Sequence, residues 1–186
     1  MNELFEFWNL QIKENSHNAC IYESAFLRLY IEFEVFLRNT FVLFSLGRSY
    51  SSYIPKRKLN FQDETQLTEI IRGESSFVDY IRAIKRCSKY IFEKDPFETF
   101  LLSANFHDDL SKMKHIRDYL AHRSNEAKGH YVKQVLNSYG IEVFIEPGDF
   151  LKRKMKNRQE TFYSFYCGIF HDVIDLFHND EVLNSL

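Results

Sequence analysis

Apolar residues recur at intervals of three and four from residue 19 to about residue 46, at Phe26, Leu29, Tyr30, Phe33, Phe36, Leu37, Phe41 and Phe44. That period predicts a long amphipathic helix that stops near Gly47. The next stretch, RSYSSYIPKRKLNFQDE, carries Ser, Lys and Pro55 without a helical period and reads as a loop or crossover. A short helix is expected from Glu64 to Arg72. It breaks at Gly73 and restarts behind a cap at Ser75 or Ser76, through Phe77, Tyr80, Ile81, Ile84, Tyr90 and Ile91. Between residues 96 and 123, Phe97, Phe100, Leu101, Leu110, Met113, Ile116 and Leu120 fit one helix or two in succession.

The period then changes. Between Gly140 and Pro147, Ile141, Val143 and Ile145 alternate with Glu142, Phe144 and Glu146. This suits a short strand, its partner in a neighbouring loop or a second subunit, or extended coil. Asp149 reads as the N-cap of a final helix through Met155, Phe162, Phe165, Tyr166, Ile169, Val173, Ile174 and Phe177. With 6 Gly and 3 Pro in 186 residues, turn-rich β architectures are disfavoured. The fold class read here is all-α: four to five long helices in an up-and-down bundle, with a short extended insertion near 139–147. The length suits a single domain over 1–186.

Cys20, Cys87 and Cys167 are odd in number and far apart, which suits neither a disulfide framework nor a zinc site and points to the reducing cytoplasm. The start, MNELFEFWNLQIKEN, lacks the basic flank of a signal peptide, and no apolar run reaches membrane-spanning length. The expectation is a soluble, cytoplasmic protein with no membrane partner. The formal charge of -2 conceals clustering. Six Lys or Arg against two acids fall between Ser111 and Lys133, five Lys or Arg and no acid fall within LKRKMKNR (151–158), and the chain beyond Phe170 is acidic. Solvated helix faces and a nucleic-acid surface both accommodate such clusters.

Within the first cluster, MKHIRDYLAHRSNEAK (113–128) places Arg117 and His122 near the end of a helix. Cleaving RNA through its own 2'-OH needs a base for the hydroxyl proton, a donor to the 5'-oxygen, and positive charge for the phosphorane oxygens. Imidazoles titrate near neutrality, and a guanidinium binds phosphate in a fork. Yet five residues at about 100° each put the two side chains roughly 140° apart on an ideal helix. Convergence then needs a distorted helix end, the reach of the Arg side chain, or a second copy of the motif.

Arg117-Asp118-Tyr119-Leu120-Ala121-His122 resembles the signature of the HEPN superfamily, an Arg followed by a polar residue, variable positions and His. The long aromatic helix bearing Glu32, Glu34 and Arg38 is similar to that family's first core helix. The resemblance implies a helical bundle acting as a metal-independent endoribonuclease, in a toxin-antitoxin or phage-defence setting; single-stranded RNA or exposed tRNA loops are the expected targets, because their bases can be splayed and their 2'-OH aligned in line. It implies a homodimer whose facing motifs form one cleft. Arg117 would stabilise the phosphate, His122 would transfer protons, and Asp118 would orient the pair. Some toxin members carry a Tyr two residues after the His that a partner nucleotidyltransferase modifies; Ser124 stands there in this chain. Other members are catalytically inactive modules that bind RNA, a nucleotide or a partner protein.

Lys112, Lys114, Arg123 and Lys128 flank the motif and are candidates to follow an RNA backbone, and Tyr119 to stack on a base, although each also suits an ordinary helix surface or core. Glu32 or Glu34 is a candidate partner for Arg117 or a motif histidine. His107, His115 and His122 are spaced by eight and seven residues, too far for one ion, so neither a metal nor a cofactor is expected. No Gly-rich phosphate loop or Ser-His-Asp order stands out.

Overall fold

The three- and four-residue spacing from Ala19 onward does form one long helix. The computed structural model describes residues 2–72, 80–101, 106–156 and 158–186, and among them ten α-helices, with a π-helical stretch (Val132–Leu136) and a 3-10 turn (Asn137–Tyr139) after the seventh, account for the regular structure. In chain order they are α1 (Asn2–Glu14), α2 (Ala19–Ser45), α3 (Glu64–Arg72), α4 (Tyr80–Ile91), α5 (Pro96–Leu101), α6 (His107–His122), α7 (Asn125–Tyr131), α8 (Pro147–Leu151), α9 (Phe162–His178) and α10 (Asp180–Ser185). The fold is all-α, and no β-strand is present among the described residues. None of the described helices is long and apolar enough to cross a membrane. The expected break at Gly73, the cap at Ser75 or Ser76, and Phe77 lie outside the described residues.

The chain divides into two compact units, Met1–Glu32 with His107–Phe170, and Phe33–Phe106 with His171–Leu186. In the first unit, Tyr22, Phe26, Leu29 and Tyr30 of α2 are buried together with Met113 and Ile116 of α6 and Tyr163, Tyr166 and Phe170 of α9. Phe26 meets the rings of Tyr166 and Phe170 at centroid distances of 6.0 and 6.3 Å. Each large apolar side chain so buried contributes about 1.5–3 kcal/mol. In the second unit, Phe41, Phe44, Phe97 and Phe177 pack ring against ring, Phe97 lying 4.9 Å from Phe177. Asp95 starts α5 by accepting the Phe97 and Glu98 N–H groups at 3.0 and 3.2 Å, with Pro96 following where a missing N–H costs nothing. Tyr90, expected among the apolar positions of α4, is 62% exposed.

α2 ends as its sequence predicts. Gly47 is left-handed at φ +73; its N–H donates to the Phe44 carbonyl at 3.0 Å and the Arg48 N–H to the Leu43 carbonyl at 2.9 Å, a Schellman closure. Arg57 from the following loop donates to the Ser45 carbonyl at 2.9 Å, and a methyl group on Gly47 would collide with its guanidinium. That loop is tied down at two further points: an antiparallel bridge joins Arg57 to Phe92, and the Asp180 carboxylate accepts the Ser52 and Tyr53 N–H groups.

One expectation is narrowed and another overturned. The alternation at 141–145 forms no strand: the segment is coil, the other alternative its pattern left open, held by side chains instead of a sheet partner. The Tyr131 hydroxyl donates to the Ile145 carbonyl at 3.1 Å, and Phe144 sets its edge against the rings of Tyr119 and Tyr131. Nor does Asp149 cap the last long helix. It lies inside the five-residue α8, and α9 begins at Phe162, because the chain between them doubles back through an antiparallel bridge from Lys154 to Thr161. Gly148 fixes where α8 sits: a methyl group there would strike the Ala19 carbonyl at the start of α2.

Gly47→Ala is expected to cost about 1–2 kcal/mol for the left-handed backbone, with a further cost from displacing Arg57. Gly140 ends the helical run that follows α7 at φ +69 and has open space where its methyl would go, so Gly140→Ala should carry the backbone cost alone. Urea denaturation of both variants checks the order; a Gly47→Ala loss no larger than that of Gly140→Ala would rule out the Arg57 contact as a constraint.

Candidate functional site

α6 closes on the residue singled out from its sequence, His122. The next residue, Arg123, takes φ +49, a left-handed backbone that costs a non-glycine residue about 1–2 kcal/mol. Ser124 returns to an extended conformation and caps α7, its hydroxyl accepting the Ala127 N–H at 3.1 Å. Two residues therefore redirect the chain between His122 and the first residue of α7.

The strain at Arg123 is offset by its side chain. The guanidinium donates to Glu23 at 2.6 Å and to Glu146 at 2.8 Å, and lies 5.1 Å over the Tyr119 ring. The other Glu23 oxygen accepts the Gly148 N–H at 3.1 Å. Half-exposed ion pairs contribute about 0.2–1 kcal/mol each and a Ser cap about 1 kcal/mol, so together they match the backbone cost.

This break shapes a cleft of about 550 Å³. α6 contributes Lys114, His115, Arg117, Asp118 and His122, and α7 contributes Glu126 and His130, with Ser124 at the turn between them. Arg117 and His122 both line this cavity, although on the one helix that carries them they stand roughly 140° apart. Asp118 accepts from Lys114 and, at 2.8 Å, from Arg117, whose guanidinium lies 5.6 Å over the ring of Tyr30. Burial pushes the Asp118 carboxyl up, but the hydrogen bonds and charges of Lys114 and Arg117 outweigh it and hold the group below the usual carboxylate value.

The His115 imidazole stacks on that of His130, with centroids 5.5 Å apart and planes 14° from parallel. Burial, then the charges of Lys114 and His130, hold His115 below its ordinary value of 6.5, against an opposing pull from Asp118. Lys114 and Arg117 balance Asp118 and Glu126 in formal charge. His130 and Glu126 were not singled out from sequence. The available signal was their spacing of four directly after the motif, which puts them on one face of the next helix.

The flanking residues are distributed differently from the expectation. Lys114 lines the cleft, whereas Lys112 pairs with Asp109 at 3.0 Å and lies over the Tyr139 ring, and Lys128 lies 3.8 Å over the Phe144 ring. Tyr119 is 6% exposed and stacks on Tyr131, the core placement that its sequence position also suited. Arg123 serves the turn through Glu23 and Glu146. Glu32, suggested as a partner for the motif, pairs with Arg28 at 2.7 Å. His107 lies beside Asp108. Among the described residues no group of three His, Cys, Asp or Glu is placed to hold one metal ion.

Comparison with family models, with curated proteins and with solved structures finds no match to this chain.

Two outcomes are expected from these contacts. Arg123→Ala should lose about 1 kcal/mol or more, because the left-handed backbone remains while both ion pairs go, and Arg123→Gly should lose less, because glycine removes the strain. Thermal unfolding of the two variants checks the order, and equal losses would show that the backbone of residue 123 is unstrained. For His115, a folded-state pKa below 6.5 means that the unfolded chain takes up the proton more readily. Its contribution to stability is therefore complete at higher pH and declines as pH falls below about 6.5. His115→Gln should lose less stability than the parent between pH 7.5 and 5.5 in urea titrations; identical declines would remove His115 from the account.

Proposed function

We propose that the chain is a HEPN-type endoribonuclease that cuts single-stranded RNA or exposed tRNA loops by attack of the 2'-OH. The observation that carries this reading is that Arg117 and His122 line one cleft together with Asp118, Lys114 and two more imidazoles. The helical fold and the motif near the end of α6 agree with the resemblance drawn from RDYLAH, and the up-and-down HEPN bundle is part of the proposal.

The chemistry assigns each group a task. An imidazole, His122 in this reading, takes the proton from the ribose 2'-OH as its oxygen attacks phosphorus. The bond to the 5'-oxygen breaks and that oxygen takes the proton that His122 has accepted, leaving a 2',3'-cyclic phosphate, a free 5'-OH and a neutral imidazole. Arg117 faces the non-bridging oxygens as charge builds on them, and a guanidinium does this without changing protonation. Asp118 orients Arg117, and Lys114 keeps Asp118 ionised and adds to the positive field. The family arrangement brings a second copy of the motif across a two-fold axis, so the partner we propose is another copy of this chain. An antitoxin or defence-system partner fits the same reading.

Incubating the purified protein in EDTA with tRNA and a long single-stranded RNA tests it. Cleavage leaving cyclic phosphate ends is expected, falling by about 10²–10⁴-fold in His122→Ala and comparably in Arg117→Ala. Intact RNA with the parent, or equal cutting by the variants, would replace this reading with a non-catalytic HEPN module.

A further inference from the structure

The densest positive charge on the chain lies outside the cleft. Lys152, Arg153, Lys154, Lys156 and Arg158 fall within seven residues with no Asp or Glu among them. The segment is neither helix nor tail. Lys154 and Thr161 form an antiparallel bridge, the Met155 N–H donates to the Glu160 carbonyl at 3.0 Å, and the Phe162 N–H donates to the Arg153 carbonyl at 3.0 Å. Where this hairpin joins the first unit, Phe162 stacks on Phe150 at 4.2 Å, both buried.

Two of the five cations have acidic partners: Lys152 pairs with Asp149 at 2.9 Å and Arg158 with Glu160 at 3.0 Å, Arg158 also covering the Phe165 ring. Arg153, Lys154 and Lys156 are exposed and form no ion pair among the described residues. Closing like charges into one hairpin costs self-repulsion, which Asp149 and Glu160 relieve by pairing with Lys152 and Arg158. A chain of regularly spaced phosphates would offset it. The cations flanking the motif do not compete for that role, since Lys112, Arg123 and Lys128 already serve carboxylates or rings of their own unit. The hairpin is also tied to the motif. Lys152 ends α8, whose Gly148 N–H is held by Glu23, the same carboxylate that holds Arg123 beside His122.

We propose that the hairpin at 152–161 is a docking surface for the sugar-phosphate backbone of single-stranded RNA, engaged through Arg153, Lys154 and Lys156. The choice of RNA as the polyanion rests on the ribonuclease reading; the charge and geometry of the hairpin do not.

The test measures binding of an oligouridylate by the full chain carrying His122→Ala, across a range of salt concentrations. Each phosphate contact to a single strand contributes about 0.7 to the slope of log affinity against log salt. Adding Arg153→Gln, Lys154→Gln and Lys156→Gln should therefore lower the slope by about 2 and weaken binding roughly a hundredfold at 0.1 M salt. The charge-keeping set Arg153→Lys, Lys154→Arg and Lys156→Arg should retain both slope and affinity. An unchanged slope in the glutamine variant, no RNA binding by the His122→Ala protein, or preferential binding to phosphatidylserine vesicles would each overturn the docking surface. A protein that binds with a hairpin-dependent slope but never cuts RNA keeps this inference and ends the ribonuclease reading. One that cuts RNA while the glutamine variant binds unchanged does the reverse.

Discussion

A single carboxylate, that of Glu23, holds two parts of the first unit in register. One oxygen accepts the Gly148 N–H and the other the Arg123 guanidinium, so the docking of α8 and the turn after α6 share one anchor on α2. That turn folds α7 back beside α6, so that Glu126 and His130 line the same cleft as Arg117 and His122. The left-handed residue at 123 is thus the point where backbone strain becomes site geometry. It persists because two ion pairs and a following Ser cap match its cost.

The cleft that results has charges that nearly cancel. Lys114 and Arg117 face Asp118 and Glu126, and three imidazoles line the same cleft. Of these, His115 stacks on His130 at 5.5 Å and is held below its ordinary value, first by burial and then by the charges of Lys114 and His130. Permanent positive charge sits instead on the hairpin after α8, where Asp149 and Glu160 pair with two of the five cations.

Much of the fold was legible because helices declare themselves through local spacing. Phe26, Leu29, Phe33, Leu37, Phe41 and Phe44 mark α2, Gly47 marks its end, and the buried Met113 and Ile116 mark α6. The readings that failed or stayed open depended on what lay opposite. Ile141, Val143 and Ile145 alternate as a strand does, but the groups facing the segment are the side chains of Tyr131, Tyr119 and Lys128. Asp149 has the chemistry of a cap, yet Gly148 beside it is drawn against the Ala19 carbonyl and the chain turns back within a few residues. Tyr119 sits among polar motif residues and is nevertheless core, since its ring meets Tyr131 from the next helix.

By itself the sequence determined the helical class, the long aromatic helices, and the presence of Arg117, Asp118 and His122 near a helix end, because each depends on residues within a few positions of one another. Only the tertiary structure decided that His130 joins them, that Lys112, Arg123 and Lys128 are engaged within their own unit, and that the last basic run forms a hairpin. Those outcomes turn on contacts between residues far apart in the chain, Glu23 with Arg123 and Phe150 with Phe162 among them. Local spacing carries no information about such partners, whereas the free energy of burying a ring or pairing a charge depends on them entirely.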